Sequence, residues 1–255
     1  MNAISIILSA LAGYLIGSIS FARIVIHLFS PTSQVQDINL AVPDSEASFH
    51  SDSVSATTVN VHLGPRYGCL TSLLDMGKVG LPALLLWILF PGTPYYLIFL
   101  ALGTLGHNWP IYYGFKGGRG MSTILPGMIL VDWLGLLVSL SISLLLGWIR
   151  KESYVWNRLT ILLMIPWVWI RHQSWELLGY VVAVNVMYQV ASIPETKEMS
   201  RLRKEGQLGD FLRTPTLLVE DEQQGSVKER ESFIGMLRSL FSRKQSPTEK
   251  SDPEP

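Results

Sequence analysis

The sequence predicts an all-α integral membrane protein of about seven transmembrane helices, N-terminus outside and C-terminus inside, with a disordered cytoplasmic tail. Three observations predict it. Hydrophobic residues fill 48% of the 255 positions and charged ones only 16%. Charge is unevenly spread, with 9 Lys/Arg and 8 Asp/Glu in residues 1–194 against 11 and 12 in 195–255. The basic residues of the apolar part also fall in alternate loops, the positive-inside asymmetry that sets orientation. A hydrocarbon core about 30 Å thick takes roughly 17–25 apolar residues per helix. Lipid offers backbone polar groups no partner, so each span must be helical. A soluble enzyme and a single-anchor receptor are excluded. No basic cluster with interleaved aromatics points to nucleic acid, and Cys69, the sole cysteine, has no intrachain disulfide partner.

The first apolar stretch, 3–29, has no Lys or Arg before Arg23. It lacks the basic start of a secretory signal and reads as a retained helix. Further segments lie at about 69–90, 95–113, 121–131, 134–149, 155–171 and 174–194, separated by Pro91-Gly92-Thr93-Pro94, Gly117-Gly118, Asp132 and Lys151-Glu152. The alternative is five or six helices, with 121–149 crossing once. An outside N-terminus puts 30–68, 114–120, 150–154 and the tail on the cytoplasmic side with Arg23, Arg66, Lys116, Arg119, Arg150, Lys151 and Arg158, and leaves only Arg171 opposite. Residues 1–194 thus form the membrane domain, with 31–65 as a long polar cytoplasmic loop. Residues 195–255 form the charged tail, mostly solvated and disordered by composition, its partner unidentified. Within it, 231–244 places Phe233, Met236, Leu237, Leu240 and Phe241 at helical spacing beside Arg238, Arg243 and Lys244. That pattern fits an interfacial amphipathic helix and equally a transient helix in a disordered tail.

The chemistry concentrates in Gly106-His107-Asn108-Trp109-Pro110 and in Gly114-Phe115-Lys116-Gly117-Gly118-Arg119-Gly120. Glycines around two cations at a helix boundary let backbone N–H groups approach an anion while Lys116 and Arg119 supply charge. Gly120 is followed by Met121, so this is no Walker A loop. Composition alone equally allows a basic turn that only sets topology. Asp75 and Lys78, three apart, are spaced to pair, and polar residues near a membrane mark function. With His107, and with Ser18 and Ser20 closing the first helix, they fall near one face of the membrane. The five histidines show no metal-ligand spacing, so no metal is expected.

Gly17-Ser18-Ile19-Ser20-Phe21, Asp75-Met76-Gly77-Lys78-Val79-Gly80 and Gly106-His107, Pro110, Phe115 to Gly120 and Thr123 together resemble the bacterial acyl-phosphate:glycerol-3-phosphate acyltransferase family, the PlsY family. Its signatures read G-S-I-P-F, D-x-x-K-G and G-H-x-x-P-x-x-x-x-F-K-G-G-K-G-x-A-T. The resemblance runs from about residue 8 to 194, and Arg150-Lys151-Glu152-Ser153 is similar to the family's R-Y-x-S turn. It implies a multi-pass protein of the bacterial inner membrane whose active site faces the cytoplasm. The implied reaction moves a fatty acyl group from acyl phosphate to glycerol 3-phosphate, giving lysophosphatidate and phosphate without a cofactor. Glycerol 3-phosphate, fatty acyl phosphate and membrane lipids are then the partners.

Carried over residue by residue, the resemblance gives His107, Ser51, Ser53 and Ser153 as catalytic groups. It gives Lys116, Gly117, Gly118, Arg119, Gly120, Thr57, Thr58, Arg150 and Lys78 as phosphate ligands, with Ser18 and Asp75 in support. The family's other segment, G-S-G-N-I-G-A-T-N-V-L-R-T-L-G, aligns with 50–64, where Ser51, Ala56, Thr57, Val59, Leu63 and Gly64 match. Its three glycines, both asparagines and the arginine are missing, and Asp52 adds negative charge. Ser20 replaces the first segment's proline, and Arg119 replaces a lysine. The expectation is acyltransferase activity weaker than that of a relative with the full motif. A homologue that binds a phospholipid or phosphate ligand without turnover stays open, as does a membrane scaffold or transporter recruited through its tail.

Overall fold

The computed structural model describes residues 2–30, 38–41, 48–150, 155–206, 216–221 and 226–231. It is a predominantly helical membrane fold. The first apolar stretch is divided into α1 (Ala3–Gly17) and α2 (Phe21–Phe29), because Ser20 turns extended and its hydroxyl caps α2 by accepting from Arg23 N. Then follow α3 (Ala56–Leu63), α4 (Pro65–Leu89) and α5 (Tyr95–Asn108), a 3-10 turn at Ile111–Tyr113, and α6 (Met121–Arg150). The last helices are α7 (Val155–His172), α8 (Trp175–Ala191) and α9 (Ile193–Lys204).

Three stretches, Ala3–Phe29, Pro65–Leu89 and Met121–Gly147, are long and apolar enough to cross a bilayer. The pair α8 and α9, bent by 52°, makes a fourth if taken as one span. Ile7, Leu8, Leu11 and Leu15 of α1 and Leu81, Leu85 and Ile88 of α4 face outward, an apolar perimeter suited to lipid. Inside, Val79, Leu100, Ile124, Met128, Met164, Val168 and Val184 form one core shared by α4, α5, α6, α7 and α8.

Small residues bring α1 against α5. Gly13 and Gly17, four apart, meet Phe99 and Gly103, and a Cβ on Gly13 would come within 2.5 Å of the Phe99 carbonyl. Without hydrophobic driving force between helices in lipid, such close backbone packing is what holds them.

The break expected at Asp132 is present inside α6. Asp132 is extended (φ −164°, ψ 94°) and its Oδ1 accepts from Gly135 N at 2.8 Å, an N-cap for residues 133–150. Its Oδ2 accepts from Trp167 Nε1 at 3.1 Å, lies 2.8 Å from His172 Nε2 and pairs with Arg171 at 3.1 Å. This joins the middle of α6 to the end of α7.

Several expectations are corrected. The helix begun at 95 stops at Asn108 instead of 113, because Pro110 pushes the residue before it out of helical geometry. The 31–65 segment is not simply a loop: it carries β1 (Ile38–Ala41), β2 (Ser48–Ser51) and α3. The tail is not wholly disordered and the fold not strictly all-α. Residue 195 lies inside α9, and β3 (Thr216–Asp221) and β4 (Ser226–Glu231) join an antiparallel sheet of order β2-β1-β3-β4. The reason is local: α9 opens on Pro194 with Glu195 in its first turn and closes on Arg201, Arg203 and Lys204, charges matched to the helix dipole. The amphipathic pattern centred on 233–241 lies outside the described residues.

Candidate active site

Two backbone hydrogen bonds assemble the site. Gly118 N donates to His107 O at 3.1 Å, folding the glycine loop back onto the end of α5, and Val54 N donates to Gly117 O at 3.1 Å, docking the 51–55 segment on that loop. Behind it, Val54 packs with Ala22, Val25 and Ile26 of α2 and Val59 of α3. The glycines are needed because there is no room for side chains. A Cβ on Gly117 would meet Pro110 Cδ at 2.6 Å and Asn108 O at 2.8 Å, and one on Gly118 would collide with the His107 imidazole. Gly120 has φ +84°, a conformation side chains disfavour, and its carbonyl starts α6 by accepting from Ile124 N at 2.8 Å.

Arg119 is the centre of charge. Its Nη2 donates to Asp52 Oδ1 at 2.8 Å and its Nε to Glu195 Oε1 at 2.9 Å, with the Arg119, Asp52 and Glu195 side chains 17%, 45% and 22% exposed. Ser51 Oγ donates to the same Glu195 Oε1 at 3.1 Å and accepts from Ser53 N at 3.4 Å. Burial works to raise the Asp52 carboxyl, but the hydrogen bond and charge of Arg119 outweigh it and hold Asp52 below the ordinary carboxylate range. A cavity of about 160 Å³ borders this group, lined in part by Asp52, Asn108, Gly117, Arg119, Ala191 and Pro194.

A second cluster lies deeper. Lys78 Nζ donates to Ile19 O at 2.5 Å and to Asp75 Oδ1 at 2.7 Å, and lies 3.2 Å from His107 Nδ1. The same Nδ1 is 3.6 Å from Asp75 Oδ1, so the three side chains form one buried cluster. Ser18 is fully buried and closes α1, its hydroxyl donating to Tyr14 O at 2.8 Å.

The structure therefore brings together Ser51, Ser53, Thr58, Gly117, Gly118, Arg119, Gly120 and His107, with Asp75 and Lys78 behind. Lys78 contacts Asp75, His107 and a backbone carbonyl behind the glycine loop. The Thr58 hydroxyl donates to Ser53 O at 2.5 Å and accepts from Ser55 N at 3.1 Å, a capping box at the start of α3. Thr57 and Lys116 are exposed. Ser153 lies outside the described residues, as does the side chain of Arg150.

Sequence reasoning missed three participants. Glu195 was counted with the tail, although its place just after Pro194 signalled a helix start. Asn108 is buried, lines the cavity and has neither side-chain atom bonded among the described residues; its adjacency to His107 was the available clue. Arg23 braces the glycine loop, donating to Lys116 O at 3.2 Å with its guanidinium 4.9 Å from the centre of the Tyr113 ring.

Comparison with known proteins follows this geometry. The family profile described as glycerol-3-phosphate acyltransferase matches residues 7–205. Glycerol-3-phosphate acyltransferase 1 of Lactobacillus johnsonii is 28% identical over 181 residues, 70% of this chain and 82% of that protein. The Aquifex aeolicus glycerol-3-phosphate acyltransferase is 32% identical over 146 residues, 57% of this chain and 66% of that one. The Shouchella clausii glycerol-3-phosphate acyltransferase is 37% identical over 123 residues, 47% of this chain and 54% of that one. In the last two cases the match spans less than two thirds of the relative. Among solved structures, the glycerol 3-phosphate form of PlsY (YgiH), an integral membrane glycerol 3-phosphate acyltransferase, aligns with TM-score 0.65 and 21% identity over 93% of this chain and 99% of that one. A second form of that protein, with lysophosphatidic acid, gives TM-score 0.58 and 23% identity over 80% and 94%. These two likenesses establish the fold.

Proposed function

This chain belongs to the glycerol-3-phosphate acyltransferase family, and from that premise we propose that it moves a fatty acyl group from acyl phosphate to the 1-hydroxyl of glycerol 3-phosphate. The observation that carries the reading is the convergence of Arg119 Nε and Ser51 Oγ, from two separate segments, on one carboxylate oxygen 2.9 and 3.1 Å away. Two donors meeting on one anionic oxygen make a place for a phosphate oxygen. Lys116, exposed in the same loop, adds a cation for the acyl phosphate at the membrane surface.

In the proposed step the substrate's 1-hydroxyl oxygen attacks the acyl carbon, the acyl–phosphate C–O bond breaks, and phosphate leaves with the electron pair and takes up the hydroxyl proton. Acyl phosphate is an activated mixed anhydride, so positioning and charge stabilisation suffice for most of the acceleration. His107, whose carbonyl accepts from Gly118 N at 3.1 Å, holds the glycine loop in place. The topology proposed with it has seven crossings, N-out and C-in, with the site at the cytoplasmic face of a bacterial inner membrane. The single basic Arg171 on the opposite side supports that orientation.

A second reading, a phosphate- or phospholipid-binding homologue that does not turn over, is favoured by Asp52, which stands where the family has a glycine. The deciding assay gives the purified, lipid-reconstituted protein palmitoyl phosphate and labelled glycerol 3-phosphate. Lysophosphatidate and phosphate released in equal amounts support the enzyme. No product above an Arg119→Ala background rejects it.

A further inference from the structure

We propose that Glu195 is a built-in occupant of the anion site, and that glycerol 3-phosphate binds by displacing it. The inference rests on the acyltransferase reading and adds regulation of that same site. Glu195 Oε1 takes both Arg119 Nε and Ser51 Oγ, the two donors a substrate phosphate needs, and two anions cannot share them. Asp52 takes the neighbouring Nη2 at 2.8 Å. Arg119 thus faces two carboxylates, and an arriving dianion meets a local excess of negative charge until one withdraws.

Glu195 is the one placed to withdraw. It sits in the first turn of α9, just past the 52° bend from α8, at the edge of the cavity that Pro194 and Arg119 line. Rotation about its own side-chain bonds frees both donors. α9 meanwhile keeps its second hold on β2, where His50 N donates to Glu198 Oε1 at 3.3 Å. The opposite role, in which Glu195 steadies Arg119 for the substrate, predicts an effect of opposite sign.

The full chain in lipid nanodiscs decides between them. KM for glycerol 3-phosphate at saturating palmitoyl phosphate and equilibrium binding of labelled glycerol 3-phosphate are measured for the parent, Glu195→Gln and Glu198→Gln. Glutamine keeps the size and removes the charge. Glu195→Gln is expected to lower KM and Kd roughly tenfold, the scale of one charge-assisted hydrogen bond. Glu198→Gln leaves both at parental values, because Glu198 bonds to His50 and Arg201 and not to Arg119. An unchanged or raised KM and Kd in Glu195→Gln overturns the proposal, and so does an equal drop in Glu198→Gln. If the proteins bind glycerol 3-phosphate but form no product, the binding shift still decides the role of Glu195 while the acyltransferase reading falls. If none binds, both fall.

Discussion

Replacing Lys78 with methionine keeps an unbranched side chain one atom shorter and removes one charge from a place with almost no water. The Lys78 side chain is 4% exposed and that of Asp75 1%. Two acceptors depend on its ammonium, Asp75 Oδ1 and the Ile19 carbonyl, and His107 Nδ1 lies 3.2 Å from it. Asp75 Oδ2 already has no bonded partner among the described residues, so the carboxylate would lose its nearest cation. Breaking a buried ion pair from one side costs about 3–5 kcal/mol, and a stranded acceptor accounts for roughly 1–3 kcal/mol of that. Removing both charges with Lys78→Met and Asp75→Leu leaves no uncompensated carboxylate. The double variant is expected to be more stable than Lys78→Met alone by about 1–3 kcal/mol. Equilibrium unfolding in mixed micelles, followed by tryptophan fluorescence, closes the double-mutant cycle. Imidazole nitrogen NMR on His107 separates positioning from mere stability, since loss of the Lys78 contact should shift the Nδ1 signal. A Lys78→Met protein within about 0.5 kcal/mol of the parent, the usual range for an uninvolved surface site, or a double variant as unstable as the sum of the singles, would refute the reasoning.

Topology is testable with Thr57→Cys and Trp175→Cys in a Cys69→Ser background: an impermeant maleimide should reach position 175 from outside and position 57 only from the cytoplasmic side. Arg119→Ala should weaken glycerol 3-phosphate binding by about 1.5–3 kcal/mol while costing little stability, because its partners are partly exposed; isothermal titration and thermal unfolding read the two effects. Asp52 titrates below its ordinary value near about 4, so the stabilisation it adds is present above that pH and is lost as pH falls through the folded value. Asp52→Asn should remove that acid-side loss in a pH series of melting curves. Asp52→Gly with Ser53→Asn should raise turnover by removing a like charge beside the phosphate, and lysophosphatidate formation measures it.

What sequence made legible was whatever depended on local pattern. The apolar segments, the break at Asp132 and the glycine loop follow from hydropathy, a lone carboxylate and steric demand, all visible in a few consecutive residues. The pairing of Asp75 with Lys78 follows from i,i+3 spacing. The other contacts of Lys78, with Ile19 O and His107 Nδ1, come from the break between α1 and α2 and from α5, and no local spacing reveals them. The Thr58 hydroxyl is likewise engaged in capping α3, a contact set by the turn before the helix. Glu195 was hidden because bulk charge composition marked its whole region as solvated, while its contacts with Ser51 and Arg119 depend on tertiary geometry alone.

The sheet order β2-β1-β3-β4 links residues far apart in the sequence, Leu40 opposite Val219 and Ala41 opposite Leu218. Chains fold from the N-terminus as they are made. The pairing of α1 with α5 and the core around Leu100 can therefore close while the ribosome is still working, but β1 must wait for β3, and Ser51 must wait for Glu195. Arg119 thus stays without its Glu195 partner until 76 further residues have been added.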